Sequence, residues 1–217
     1  MDPNEIKEMP GAELPAAGDG SVRHRLLHVA ADVFARKGYA ATTVNEIVEA
    51  AGVTKPVLYY YFENKAGIFQ EIFVESLRLF QEALRAPQDP NLPVIDRMVD
   101  LCGRIYELYS SHLEIARLFH SLYYGPPQGA PPMDLEMFHM PFQDALARLV
   151  EEGVRTGEFR PGSPEEILFA VMGPVSMSMD IQLCHPEMAP GREGLARILH
   201  LICRGIAADP ESKGVQS

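Results

Sequence analysis

Between Thr43 and Phe62 the chain places two helices in twenty residues, and that compression limits the folds open to it. Thr43-x-x-Glu46 has the form of a capping box, in which the Thr and Glu side chains satisfy each other's free backbone N–H groups. Ile47, Val48 and Ala51 follow at helical spacing, and Gly52 closes the helix after about two turns. Thr54 then offers a second cap, with Pro56 in the first turn, where a missing N–H costs little. Two short helices joined by the tight Ala51-Gly52-Val53-Thr54 turn make a helix-turn-helix, which needs a third helix to cover its apolar side.

That third helix precedes the pair. Ser21 can cap it, Leu26, Ala30, Val33 and Phe34 repeat at helical spacing, and Gly38 stops it. Asn64 can cap a long fourth helix whose apolar stripe is Phe69, Ile72, Phe73, Leu77, Phe80 and Leu84. After the break "RAPQDPNLP" the periodicity predicts helices at 93–110, 113–124, 134–156, 164–183 and 192–208, separated by Pro- and Gly-rich turns. No alternating run argues for a strand, so the predicted fold is all-α. The expected organisation is a disordered tail at 1–20, a helix-turn-helix domain at 21–66, a helical domain at 67–208 and a flexible C-terminus at 209–217.

Composition narrows the function classes. Hydrophobic residues make up 47% of the chain, enough for a sizeable core. The three cysteines, Cys102, Cys184 and Cys203, lack the number and spacing of a disulfide framework, which predicts a reducing, cytoplasmic setting. The first twenty residues lack the basic and apolar regions of a signal peptide. Ile167 to Leu183 is apolar, but Gly173-Pro174 and Asp180 interrupt it, so no membrane span is expected. The net charge is -11, unevenly spread: residues 21–65 carry six basic and four acidic side chains, leaving -13 for the remainder. A locally basic module on an acidic body can meet a polyanion with one end.

The run Tyr59-Tyr60-Tyr61-Phe62 lies in the second helix of the pair. Successive helical residues point about 100° apart, so four adjacent rings cannot share one buried face. Leu58 and Phe62, four apart, are expected to face the core and Tyr61 to brace the fourth helix. Tyr59 and Tyr60 are left facing outward.

The ordered set Gly38, Thr42-Thr43, Ala51-Gly52-Val53, Leu58-Tyr59, Phe62 and Lys65 resembles the DNA-binding domain of the tetracycline-repressor (TetR/AcrR) family of bacterial transcription regulators. The match spans about Arg25 to Phe73, a quarter of the chain. The resemblance implies a recognition helix in the DNA major groove, followed by a helical domain that binds a small effector and dimerises. The expected DNA-binding residues are Thr42, Thr43, Thr54, Lys55, Pro56, Val57, Tyr59, Tyr60 and Lys65. Thr43 also acts as a cap, and Thr42 offers a hydroxyl to phosphate. Thr54 and Lys55 are placed for phosphate or base contact, and Pro56 and Val57 for thymine methyls. Tyr59 and Tyr60 are suited to sugar and phosphate, and Lys65 to a phosphate at a helix start.

In the body, the segment 164–183 is apolar nearly all round, as expected of a helix buried on two sides. With the last helix it is expected to form a four-helix, two-fold dimer contact through Phe169, Met177, Ile181, Leu195, Ile198 and Ile202. Burial of both faces within one subunit is the alternative. The middle helices are rich in Tyr, Phe and Met, which suits a hydrophobic or aromatic effector. Tyr106, Tyr109, Phe119, Tyr123, Met137, Phe138, Phe142 and Met172 are the expected lining, with plain core as the alternative. His112, His120 and His139 can hydrogen-bond a ligand.

Cys184-His185 is adjacent rather than spaced, and no metal or cofactor is expected. The function implied is a ligand-responsive repressor that binds a near-palindromic operator as a homodimer. The alternatives are an activator using the same head and a helical enzyme using the cavity. No nucleophile elbow, P-loop or dinucleotide fingerprint supports the enzyme.

Overall fold

The computed structural model describes residues 20–159 and 163–205, all discussed elements being helical. The predicted tails, apart from Gly20, lie outside the described residues. The elements are α1 (Gly20–Lys37), α2 (Val44–Ala51), α3 (Lys55–Tyr61), α4 (Lys65–Arg85), α5 (Val94–Ser111), α6 (Leu113–Tyr124), α7 (Glu136–Thr156), α8 (Pro164–Cys184) and α9 (Gly191–Arg204). A 3₁₀ turn at Pro186–Met188 links the last two.

The local chemistry explains the head. Thr43 accepts from the Glu46 backbone N–H, and Glu46 accepts from that of Thr43, closing the capping box. Lys37 pairs with the same carboxylate and is the main reason the Glu46 carboxyl titrates as low as about 2. Gly52 adopts φ 64°, a left-handed conformation that glycine enters without strain, and this ends α2. Leu26, Ala30, Phe34, Ile47, Leu58, Ile68 and Phe69 are fully enclosed, and aromatic contacts among Phe34, Tyr39 and Phe69 tighten the cluster.

Two helices carry side chains across the expected boundary after residue 66. Ile68, Phe69 and Ile72 of α4 belong to the head's core, and so does Leu118 of α6. The second half of α4, through Phe80, enters the body's core instead. One 21-residue helix, about 31 Å long, therefore serves both regions.

In the body, α5 runs through the centre, with Met98, Cys102, Ile105 and Tyr106 buried against α7, α8 and α9. Gly153 on α7 permits one close approach: a Cβ there would lie 2.2 Å from Cδ2 of Phe159. The five predicted body helices begin and end within two residues of those found, except the last. That helix stops at Arg204, with Gly205 at φ 84°; residues 206–208 lie outside the described residues. Pro141 and Pro174 both sit inside helices that run on through them, so a missing N–H alone does not end either element.

Candidate DNA-binding face and effector cavity

The seven residues of α3 divide as their spacing requires. Leu58 is completely buried and Phe62 nearly so, while Tyr59 and Tyr60 are half exposed and project from the head. Thr54 caps α3 with extended backbone, but its hydroxyl makes no capping hydrogen bond. Thr54, Lys55 and Pro56 are exposed and Val57 is half-buried. Tyr61 is also half-buried, edge-on to Tyr60 at 4.9 Å.

Two expected DNA contacts are placed otherwise. Thr42 is 1% exposed, and its hydroxyl donates to the Gly38 carbonyl at 2.8 Å, so it cannot reach a phosphate. Lys65 donates to the carbonyls of Tyr39 and Thr42, both at 2.8 Å, and lies 4.3 Å from the centre of the Tyr39 ring. Its charge holds the α1–α2 connection rather than facing outward. Sequence spacing locates a lysine at a helix start but cannot show that two carbonyls converge on it. Lys65→Met is expected to lower the stability of the fold by about 1–3 kcal/mol in chemical denaturation, because two buried-side acceptors lose their donor. Unchanged stability with lost DNA binding would restore the phosphate role.

Other head cations are also engaged. Arg36 pairs with Asp32, Lys37 with Glu46 and Arg23 with Glu71. Among the described residues of the head, Arg25 and Lys55 are exposed without an ion pair. The positive footprint is therefore narrower than the residue count implies.

Below the head, a cavity of about 290 Å³ opens between α4, α5, α6, α7 and α8. Of the residues expected to hold an effector, Tyr109, Phe119, Tyr123, Phe138, Phe142 and Met172 line this cavity. Phe138 organises one wall, with the rings of Phe73, Phe80 and Phe119 at 5.6, 5.2 and 5.4 Å. Two predicted residues are elsewhere. Tyr106 is core, its hydroxyl donating to Gln182 at 2.8 Å, because it stands three residues before Tyr109 and faces α8 instead. Met137 is one residue from Phe138 and turns to solvent.

Polar groups interrupt the apolar wall: Ser76, His112, His120, His139, Ser176 and Asp180. The sequence pointed to the histidines but not to Ser76 of α4 or Ser176 and Asp180 of α8, which reach the cavity from helices about a hundred residues apart in the chain. Burial, then the Asp180 carboxylate, pushes the Tyr109 phenol well above its usual range, so it stays protonated and able to donate.

The head meets the body through α6. Leu118 is fully buried in the head's core, while Ala116, Phe119, His120 and Tyr123 of the same helix line the cavity. A chain of imidazoles crosses the joint. His24 and His28, one turn apart on α1, have their Nε2 atoms 3.0 Å apart, and Nδ1 of His28 pairs with Glu114. The His28 ring stacks at 5.5 Å on His112, which lines the cavity. The His24-x-x-x-His28 spacing was no part of the expected site; its partners are His112, between α5 and α6, and Glu114 of α6. Gln128, beyond α6, adds a strap, accepting from the Tyr39 N–H and donating to Ser121.

His24 titrates below its ordinary 6.5, first because of burial, then because His28 and His112 are close; Glu75 and Glu114 oppose the shift. A histidine held neutral in the fold but free to protonate when unfolded makes the native state bind fewer protons. Its contribution is complete above pH 6.5 and declines as pH falls below that value. Acidification from pH 7.5 to about 5.5 is expected to lower the melting temperature more in the natural protein than in His24→Gln, as read by a thermal-melt series.

The body also carries an exposed apolar face. Phe169 is 78% exposed, Met177 60% and Leu201 56%, and Ile198 joins them. Ile181 and Ile202 are half-buried. Leu195 is fully buried within the subunit and is withdrawn from the expected dimer contact, because its face of α9 packs on α5 and α8. Leu201 takes its place on the outer face. At 21 residues α8 is long and apolar enough, by length and composition, to cross a bilayer, which the shorter span read from the sequence was not. It packs instead along α7 and α9.

A three-helix head with an exposed third helix, joined through α4 and α6 to a body with an apolar cavity, is the architecture of a DNA-binding transcription regulator. Residues 26–72 match the family described as bacterial regulatory proteins, tetR family. The HTH-type transcriptional regulator YhgD of Bacillus subtilis (strain 168) is 23% identical over 197 residues, spanning 85% of this chain and 96% of its own. The HTH-type transcriptional repressor KstR2 of Rhodococcus jostii (strain RHA1) is 27% identical over 160 residues, spanning 70% of this chain and 75% of its own. The transcriptional regulator FadR from Bacillus subtilis, solved in complex with stearoyl-CoA, shares the fold with a TM-score of 0.56 and 18% identity. That match covers 85% of this chain and 99% of FadR. Residues 26–72 thus carry the DNA-binding domain of the tetR family of bacterial regulatory proteins, and the chain as a whole shares the fold of solved regulators of that family.

Proposed function

We propose that this regulator is a repressor that binds a near-palindromic operator as a homodimer and is released by a small hydrophobic or aromatic effector in the α4–α8 cavity. It would act in the cytoplasm, where the chromosome lies. The observation that carries this reading is the double duty of α6, one face buried in the head and the other lining the cavity. A ligand that displaces α6 must shift the head, and it lowers DNA affinity by its differential affinity for the two positions. Thr54, Lys55, Pro56, Tyr59 and Tyr60 are the DNA-facing set, with Thr43 and Val57 at its edge.

Dimerisation through the outer faces of α8 and α9 supports the operator geometry. Phe169, Met177, Ile198 and Leu201 form an apolar surface that a second copy would cover, with Ile181 and Ile202 at its edge. Two heads would then meet half-sites roughly 34–36 Å apart. KstR2 is itself a repressor, which favours repression over activation here. FadR was solved with stearoyl-CoA, which makes acyl thioesters a reasonable first set of compounds.

The test is a panel of acyl-CoA thioesters, sterols and planar aromatic compounds, scored by thermal shift and by DNA binding. A compound that raises the melting temperature is expected to weaken DNA binding. A compound that saturates the cavity and leaves DNA affinity unchanged would overturn the coupling.

A further inference from the structure

The far end of α4 borders a second, chemically different recess. We propose that the cleft walled by Arg85 of α4, Arg97 of α5 and Arg148 of α7 binds a phosphate-bearing small molecule, separately from the effector cavity. The cleft has a volume of about 420 Å³.

The chain outside residues 21–65 carries -13, yet three arginines and one glutamate, Glu152, line this cleft. Elsewhere in the body Arg78, Arg104 and Arg192 are each tied to carboxylates. Arg85 and Arg148 are exposed and make no ion pair among the described residues. Arg97 is forked onto Glu152, with Nη1 and Nη2 at 2.8 and 3.2 Å, which fixes its guanidinium and neutralises one charge. Its third donor, Nε, is buried without an acceptor. The positive charges of Arg85 and Arg148 remain for a ligand.

The chemical class follows from the donors and the floor. Guanidinium forks match the oxygens of phosphate in pairs and hold them more strongly than a single ammonium does. The recess is far larger than a bare phosphate, and its floor includes Leu84, Leu101 and Leu149. An organic phosphate can place its anion between the arginines and its carbon skeleton on those leucines.

The test is calorimetric titration of the full chain with inorganic phosphate, pyrophosphate and ADP. The comparison is with Arg85→Ala/Arg148→Ala and with a control, Arg117→Ala/Arg155→Ala, whose arginines are exposed outside the cleft. Pyrophosphate or ADP is expected to bind the natural protein, weaken at least about tenfold in the cleft variant and stay unchanged in the control. Tighter binding of ADP than pyrophosphate identifies an organic phosphate as the occupant, and the reverse order identifies the bare anion. Both orders keep the site. No binding of any of the three, or an equal loss in the control, overturns it. Melting temperatures of both variants check that the fold is retained.

Discussion

The Lys55→Ala/Tyr60→Ala variant is expected to bind DNA from the protein's own upstream region on the order of a hundredfold more weakly, with an unchanged melting temperature. Lys55 is exposed at the start of α3 and makes no ion pair, and Tyr60 is half exposed on the same helix. Neither contributes to the head's core, so their removal leaves Leu58, Phe62 and the cluster around them intact. A base or phosphate contact is worth about 1–3 kcal/mol, so losing two near the lower end of that range weakens binding about a hundredfold. The salt dependence should also become shallower, since each lysine on a phosphate releases counterions. Equal affinity in variant and natural protein would remove α3 from the DNA interface.

Leu118→Ala is expected to have the largest effect on stability, about 2–5 kcal/mol in chemical denaturation. The side chain is fully enclosed, and it projects from α6 into a core otherwise built by α1 to α4. Truncating it leaves a void at the joint between head and body, where relaxation would have to move a helix. The same change should weaken the communication between cavity and head. A compound that stabilises the natural protein and displaces it from DNA should do so less effectively in Leu118→Ala. Tyr123→Ala, on the exposed cavity side of α6, should leave stability nearly unaltered while changing compound affinity. Comparable destabilisation by both variants would contradict the division of α6 into two faces.

The head was legible in the sequence because its signals are local. The capping box at Thr43, the left-handed turn at Gly52 and the division of Leu58–Phe62 depend on residues a few positions apart. Body helices were legible for the same reason, since apolar spacing and Pro-Gly breaks are read along one strand of sequence. What failed was tertiary. Lys65 meets Tyr39 and Thr42 across more than twenty residues, and Thr42 is enclosed by packing that its neighbours do not announce. Tyr106 and Met137 have the right chemistry for the cavity but sit on the wrong side of their helices by about 60–100°. Leu195 looked like Ile198 in spacing terms, and only the position of α9 against α5 separates them.

The most direct measurement is fluorescence anisotropy of a labelled duplex from the protein's upstream region, titrated with the protein at two salt concentrations. A scrambled duplex of equal length serves as competitor. Saturable binding that survives the competitor and weakens steeply with salt is the expected result. Failure to bind any upstream or wider genomic fragment at low salt would contradict it.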